Sequence, residues 1–223
     1  VVERFGEVTP KKNCYFGICN IAPVFFVLLR CTGKKDESSA CIGKAGKRVL
    51  LVDIDPQGNS TSGFGIEKRG LEYSSYDILT SDVPASAVIL HTGFENMDIL
   101  PANMNLAGAE LEIIDVKGRE NILKQKLSLI RDYYDYIFLD CPPSLGLITL
   151  NALTASDTFL VPIQCEYYAL EGIVDLMTSI KMCTRGLNRH LVFRAVFTPT
   201  DIDAEVEIFS RPGARFLKCL LNL

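Results

Sequence analysis

Tryptophan is absent from the 223 residues, histidine occurs only twice, and no two of the eight cysteines stand in C-x-x-C spacing. Paired-cysteine zinc ribbons and a dense disulfide framework are thereby excluded, and no zinc site is expected. Several cysteines sit inside apolar runs, which reads as buried, reduced thiols in a cytoplasmic protein. An excess of positive charge is missing too. Lys and Arg number 23 against 27 Asp and Glu, for a net charge of −4, so the chain is not basic all over and any nucleic-acid contact has to be a local patch. No apolar run is long enough to cross a bilayer comfortably. The longest candidate, residues 15–29 between Lys11-Lys12 and Arg30, superficially resembles a signal or membrane segment but is short and carries Asn20 and Pro23. Internal repeats and low-complexity linkers are absent as well.

What remains is ordinary for a soluble α/β domain: 48% hydrophobic and 22% charged residues, in a chain long enough to bury a sizeable core. From residue 48 onward, apolar strands alternate with helical spacing. Strands are expected at 48–53, 97–100, 136–140 and 158–164, and helices at 106–114, 119–132, 146–155 and 169–184. Such alternation implies a doubly wound, mostly parallel sheet with helices on both faces, in one domain covering 1–223. Residues 1–37 and 194–223 are irregular and give no clean strand or helix reading.

Three strand ends carry the candidate chemistry. The first is Val52-Asp53-Ile54-Asp55-Pro56-Gln57-Gly58, followed by Asn59-Ser60-Thr61-Ser62. It delivers carboxylates to the rim of a sheet, where ligands bind in open α/β folds. A carboxylate there can orient a water for attack on a phosphate, although an acid after a strand also commonly opens a solvated loop. The second is Tyr136-Ile137-Phe138-Leu139-Asp140-Cys141-Pro142-Pro143-Ser144, a Walker-B-like strand whose Asp140 suits Mg²⁺ beside nucleotide phosphates. Its two prolines stiffen the loop that follows. Two strand-end acids together favour the phosphate reading over plain loop starts. The third, Gln164-Cys165-Glu166, ends another strand, with Glu166 equally readable as an acid at a helix start.

A glycine-rich phosphate loop is not found. Gly43-Lys44-Ala45-Gly46-Lys47 precedes a strand instead of following one, and reads as a helix-to-strand turn. Thr32-Gly33-Lys34-Lys35 has a single glycine and no cradle of successive backbone amides.

Residues 38–193 resemble the ParA/Soj family of chromosome- and plasmid-partitioning ATPases, in the deviant-Walker P-loop class that includes MinD. The strings that carry the resemblance are Gly46 to Asn59, Ile99-Leu100-Pro101-Ala102-Asn103, Leu106-Ala107-Gly108-Ala109-Glu110, Asp135 to Gly146 and Pro162 to Gly172. The resemblance implies a P-loop-NTPase-like fold with ATP and Mg²⁺ as cofactors. Asp55 would orient the hydrolytic water in switch I, Asp140 would be the Walker B acid near Mg²⁺, and Asp53, Gln57, Pro142, Pro143 and Ser144 would face the nucleotide. It further implies an ATP-closed homodimer, non-specific DNA as ligand, a ParB-like partner, and a cytoplasmic, nucleoid-associated location without membrane binding.

The family's first strand commonly ends in Asn and runs into a Lys-Gly-Gly-x-Gly-Lys-Thr-Thr loop. Gly17-Ile18-Cys19-Asn20 is one candidate for that strand, and counting back from Lys47 places the loop lysine near Cys31 instead. Neither position holds the loop. The alternative function is therefore a nucleotide-free binding scaffold of the same fold. A flavodoxin-like binder has no need of acids on two strands, and the lone Cys141 makes no iron–sulfur site.

Overall fold

The computed structural model describes residues 24–29, 42–142, 144, 146–164, 180–181, 185–198 and 207–209. Its strands are β1 (Val24–Leu29), β2 (Val49–Asp53), β3 (Leu90–His91), β4 (Met97–Leu100), β5 (Tyr136–Cys141), β6 (Thr158–Gln164), β7 (Val192–Thr198) and β8 (Glu207–Phe209). The helices are α1 (Asn59–Gly63), α2 (Ser75–Thr80), α3 (Ala85–Val88), α4 (Leu106–Ile113), α5 (Ile122–Ser128) and α6 (Leu147–Ala155).

All eight strands form one sheet in the order β3-β4-β2-β5-β1-β6-β7-β8. The inner strands are parallel, and the short edge strands β3 and β8 are antiparallel to their neighbours. From β1 the chain reaches β2 on one side of the sheet and, later, β6 on the other. This reversal creates the crevice in which open α/β sheets bind ligands, at the carboxyl ends of the strands.

Side-chain alternation splits the described core in two. Leu50 and Val52 of β2 and Ile137, Leu139 and Cys141 of β5 face one side, where they meet Ile78, Leu106, Ala109, Leu123, Leu127, Ile148 and Ala152 from the helices. Val49, Leu51, Tyr136 and Phe138 face the other, covered by Ile42, Phe64 and Ile66. Burial on both faces explains why these strands read as unbroken apolar runs. At their amino ends Asp135 fixes the register: its carboxylate accepts the Arg48 amide at 2.8 Å, and its own amide donates to the Arg48 carbonyl at 2.8 Å. The Arg48 amide holds the Asp135 carboxyl below the usual range.

Several expectations need correction. Of the apolar run 15–29, which had no assigned element, only Val24–Leu29 is among the described residues. It is β1, hydrogen-bonded to β5 on one edge and β6 on the other, in the middle of the sheet. The candidate first strand at Gly17–Asn20 lies outside the described residues. The region after 193, which had no clean reading, supplies the last residues of β7 and all of β8. The helix expected over 119–132 is broken into a 3₁₀ turn, α5 and a second 3₁₀ turn. Asn151 is the cause at the first break. Its Nδ2 donates to the Arg119 carbonyl at 2.8 Å and its Oδ1 accepts the Leu123 amide at 3.2 Å, so the two groups that would bond to each other in a continuous helix bond to Asn151 instead. The turn expected at 43–47 is observed, with Gly46 in the left-handed region at φ 80°. Of the helix expected over 169–184, most lies outside the described residues.

Buried Asn188 closes the carboxyl end of α6. Its Nδ2 lies 2.9, 3.3 and 2.7 Å from the carbonyls of Leu153, Thr154 and Ser156, groups that a helix end leaves unpaired. Asn188→Ala should lower unfolding free energy by about 1–3 kcal/mol, measured by urea denaturation, because buried carbonyls lose their donor.

Candidate functional site

The alternation that assigns Val49 and Leu51 to one face assigns Asp53 to the same face, and likewise Asp140 after Tyr136 and Phe138. The two acids are direct register partners across β2 and β5. Both are buried, at 0% and 1% exposure, so two carboxylates share one water-poor strand rim. Such a pair is tolerable only if its oxygens find donors.

The Asn59-Ser60-Thr61 segment supplies them. The Thr61 amide and hydroxyl donate to Asp53 Oδ2 at 2.8 and 2.7 Å, and the Ser60 hydroxyl donates to Asp140 Oδ2 at 2.6 Å. Successive hydroxyls of α1 thus serve acids on different strands. Thr61 Oγ1 in turn accepts the Ala102 amide at 2.9 Å, tying this corner to the end of β4. Burial pushes the Asp53 carboxyl up to about 6; the Thr61 hydroxyl opposes the shift and the Asp140 charge adds to it.

Between β2 and α1 the chain must turn sharply to bring the hydroxyls back over the acids. The Asp55 amide donates to Asp53 Oδ1 at 3.2 Å, while Asp55 Oδ1 accepts the Gln57 amide at 2.9 Å and the Asp55 carbonyl accepts the Gly58 amide at 2.8 Å. Gly58 completes the turn at φ 57°, and a Cβ there would press on Lys68 Cδ at 2.7 Å and the Ala102 carbonyl at 3.0 Å. Glycine is required on both counts. Lys68 clamps the turn from outside, its Nζ donating to the Gln57 carbonyl at 2.6 Å.

Of the residues singled out from the sequence, Asp53, Asp55 and Asp140 are buried together at this rim, and Gln57 is exposed at the turn. Half-buried Pro142 follows β5 directly. Ser144 is exposed, and its carbonyl accepts the Thr149 hydroxyl at 2.6 Å. Pro143 and Glu166 lie outside the described residues. Gln164 ends β6, whose carboxyl end is on the same side of the sheet as those of β2 and β5. The Cys141 side chain is buried on the opposite face from Asp140, its Sγ donating to the Leu139 carbonyl at 3.7 Å. Sequence reasoning did not assign roles to Ser60, Thr61 and Lys68; the hydroxyl run straight after the Asp-Pro-Gln-Gly turn was the available signal.

Chemically, the rim offers hard oxygen donors. Among the described residues no group of three or more His, Cys, Asp or Glu could hold a metal ion. One carboxylate and a hydroxyl suit a cation that keeps waters and shares phosphate oxygens, which is how Mg²⁺ is usually held.

The acid pair has a consequence for stability. Asp53 binds its proton more tightly folded, near pH 6, than at its ordinary 3.8, so the native state carries more protons in between and stability falls as pH rises from about 4 to about 6. In metal-free protein, Asp53→Asn should raise stability at pH 7.5 by about 1–2 kcal/mol and flatten that fall. Urea denaturation in chelator at pH 4.5 and 7.5 measures both.

A family profile described as an AAA domain matches residues 32–193. The sporulation initiation inhibitor protein Soj of Bacillus subtilis is 50% identical over 169 residues, covering 76% of this chain and 66% of Soj. The chromosome-partitioning ATPase Soj of Treponema pallidum is 44% identical over 158 residues, covering 71% of this chain and 61% of its own. The chain therefore spans somewhat less than two thirds of these curated relatives. Among solved structures, cobyrinic acid a,c-diamide synthase from Mycobacterium smegmatis with bound ATP analogue and magnesium superimposes with a TM-score of 0.75 at 35% identity, covering 82% of this chain and 77% of that one. A plasmid partition protein from Borrelia burgdorferi gives a TM-score of 0.63 at 25% identity, covering 78% of each chain. With the P-loop-NTPase-like sheet, the paired strand-end acids and these relatives, the chain belongs to the ParA/Soj family of partitioning ATPases.

Proposed function

We propose that the chain acts as a Mg-ATP-dependent partitioning ATPase that dimerises on nucleotide and binds DNA without sequence preference in chromosome or plasmid segregation. The observation that carries the reading is the register pairing of Asp53 with Asp140 at the carboxyl ends of β2 and β5, next to β1 where the strand order reverses, with Ser60 and Thr61 bonded to them. In this reading Asp140 holds Mg²⁺, which would neutralise charge on the phosphates, and Asp55 orients the attacking water. Asp53 holds α1 in place through Thr61. In the same reading Gln57, Pro142 and Ser144 would face the nucleotide from the two loops. The ATP analogue and magnesium in the M. smegmatis structure support the nucleotide, and the partition names of the bacterial relatives support the process. The sequence relationship to Soj, at 50%, outweighs the 35% to the synthase in choosing between their activities. A ParB-like protein is the expected stimulating partner, and the nucleoid in the cytoplasm the expected location. No described helix is long and apolar enough to cross a membrane.

A second reading, a nucleotide-free scaffold of this fold, is favoured by one observation: residues 30–41, directly after β1, contain Gly33 as their single glycine. Thermal unfolding separates the two. A ligand that binds only the native state at a hundred times its Kd adds about 2.7 kcal/mol, or roughly 5–10 °C in Tm for a chain this size. The ATPase reading expects that rise with Mg-ATP, its loss in Asp140→Ala, and its retention in Asp55→Ala with hydrolysis reduced by about 10²-fold or more. No shift in the unsubstituted chain would favour the scaffold.

A further inference from the structure

The string Leu106-Ala107-Gly108-Ala109-Glu110 has no role in the site as described, yet the segment that contains it touches both loops. At its start, the Ala102 amide donates to Thr61 Oγ1 at 2.9 Å, and the Ala102 carbonyl lies where a Cβ on Gly58 would meet it at 3.0 Å. The loop after β2 is thus seated on Ala102. Further along, in α4, Glu110 Oε1 accepts the Ile148 amide at 3.0 Å, at the amino end of α6. This bond satisfies one of the amides that a helix start leaves open, and the helix dipole favours the carboxylate there. The approach is very close: a Cβ on Gly146 would fall inside the Glu110 carboxylate. Gly146 sits at φ −80° and ψ −174°, a conformation open to any residue, so it is the space taken by Glu110 that calls for glycine here.

The connection between these two contacts is stiff. Leu106, Ala109 and Ile113 are fully buried, and the Pro101 carbonyl accepts the Ser75 amide at 2.8 Å, pinning α2 to the same segment. Packed interiors transmit displacement because they have no slack to absorb it. We infer that the segment 102–110 couples the loop after β2 to the loop after β5, with Glu110 as the positioning residue that fastens the second loop to it. The functional meaning of this coupling rests on the proposed function, since both loops would then sense one nucleotide; the coupling itself does not.

A residue that merely caps α6 would act only on residues near 146–150. Amide hydrogen exchange on the full, nucleotide-free chain distinguishes capping from coupling. In Glu110→Ala, the Ile148 amide should exchange about 10-fold faster and the Thr61 and Ala102 amides about 3-fold faster or more, while Ile99 and Phe138 in the strands keep their rates. Gly146→Ala, which evicts the carboxylate without altering α4, should reproduce this pattern. Glu110→Gln, which keeps an acceptor oxygen, should restore near-original rates. By reciprocity Thr61→Val should speed exchange at Ile148. Unchanged rates at Thr61 and Ala102 in both the Glu110→Ala and Gly146→Ala variants would overturn the coupling, and so would a uniform rise that includes Ile99 and Phe138, which reports global stability alone. Failure to bind Mg-ATP, read separately by thermal shift, would overturn the functional reading and leave the coupling standing.

Discussion

The parallel pairing of β2 with β5 is the constraint on which the rest of the site depends. Five register pairs run from Val49 with Tyr136 to Asp53 with Asp140, anchored at the start by the reciprocal bonds between Arg48 and Asp135. A slip of one residue would turn every side chain of one strand to the opposite face. Asp53 would then enter the helix-covered core and lose Thr61. With apolar side chains on both faces, pattern alone does not forbid that slip, and the close packing of each face together with the Arg48–Asp135 bonds holds the acids in register.

The acids themselves work against folding. Neighbouring strands lie about 4.8 Å apart, which puts two buried carboxylates closer than water would let them remain without screening. Burial first, and the Asp140 charge to a lesser extent, push the Asp53 carboxyl up to about 6. Donors from α1 offset part of it, and a divalent cation between phosphate and protein would offset more. Perturbed carboxylates held together at a strand rim are the kind of arrangement that functional sites use for charged partners. The turn through Pro56 and Gly58 exists to return the hydroxyls of Ser60 and Thr61 over the strand ends, and Ala102 and Lys68 hold that turn from two sides.

Much of this architecture was legible in the chain. β2, β4, β5 and β6 fall where apolar runs predict them, and β2 and β5, buried on both faces, keep their acids to the carboxyl end. α4 and α6 follow their helical spacing to within a residue. The misreadings have local causes. The stretch Val24–Leu29 has no polar alternation to distinguish a central strand from any other apolar segment. The break before α5 came from a side chain 28 residues beyond Leu123, invisible to any window over the helix itself.

The sequence by itself determined β2, β4, β5 and β6, the acids that end β2 and β5, and that the chain belongs among nucleotide-binding α/β folds, because burial and turn chemistry act on neighbours along the chain. Only the tertiary structure decided that Asp53 faces Asp140, that Ser60 and Thr61 divide between them, that β1 inserts between β5 and β6, and that Glu110 reaches Ile148. Each of these is a meeting of groups far apart in sequence. Their partners are selected by register, by the hydroxyl or carboxylate within reach of an unpaired amide, and by the space a missing Cβ leaves, none of which has a one-dimensional signature.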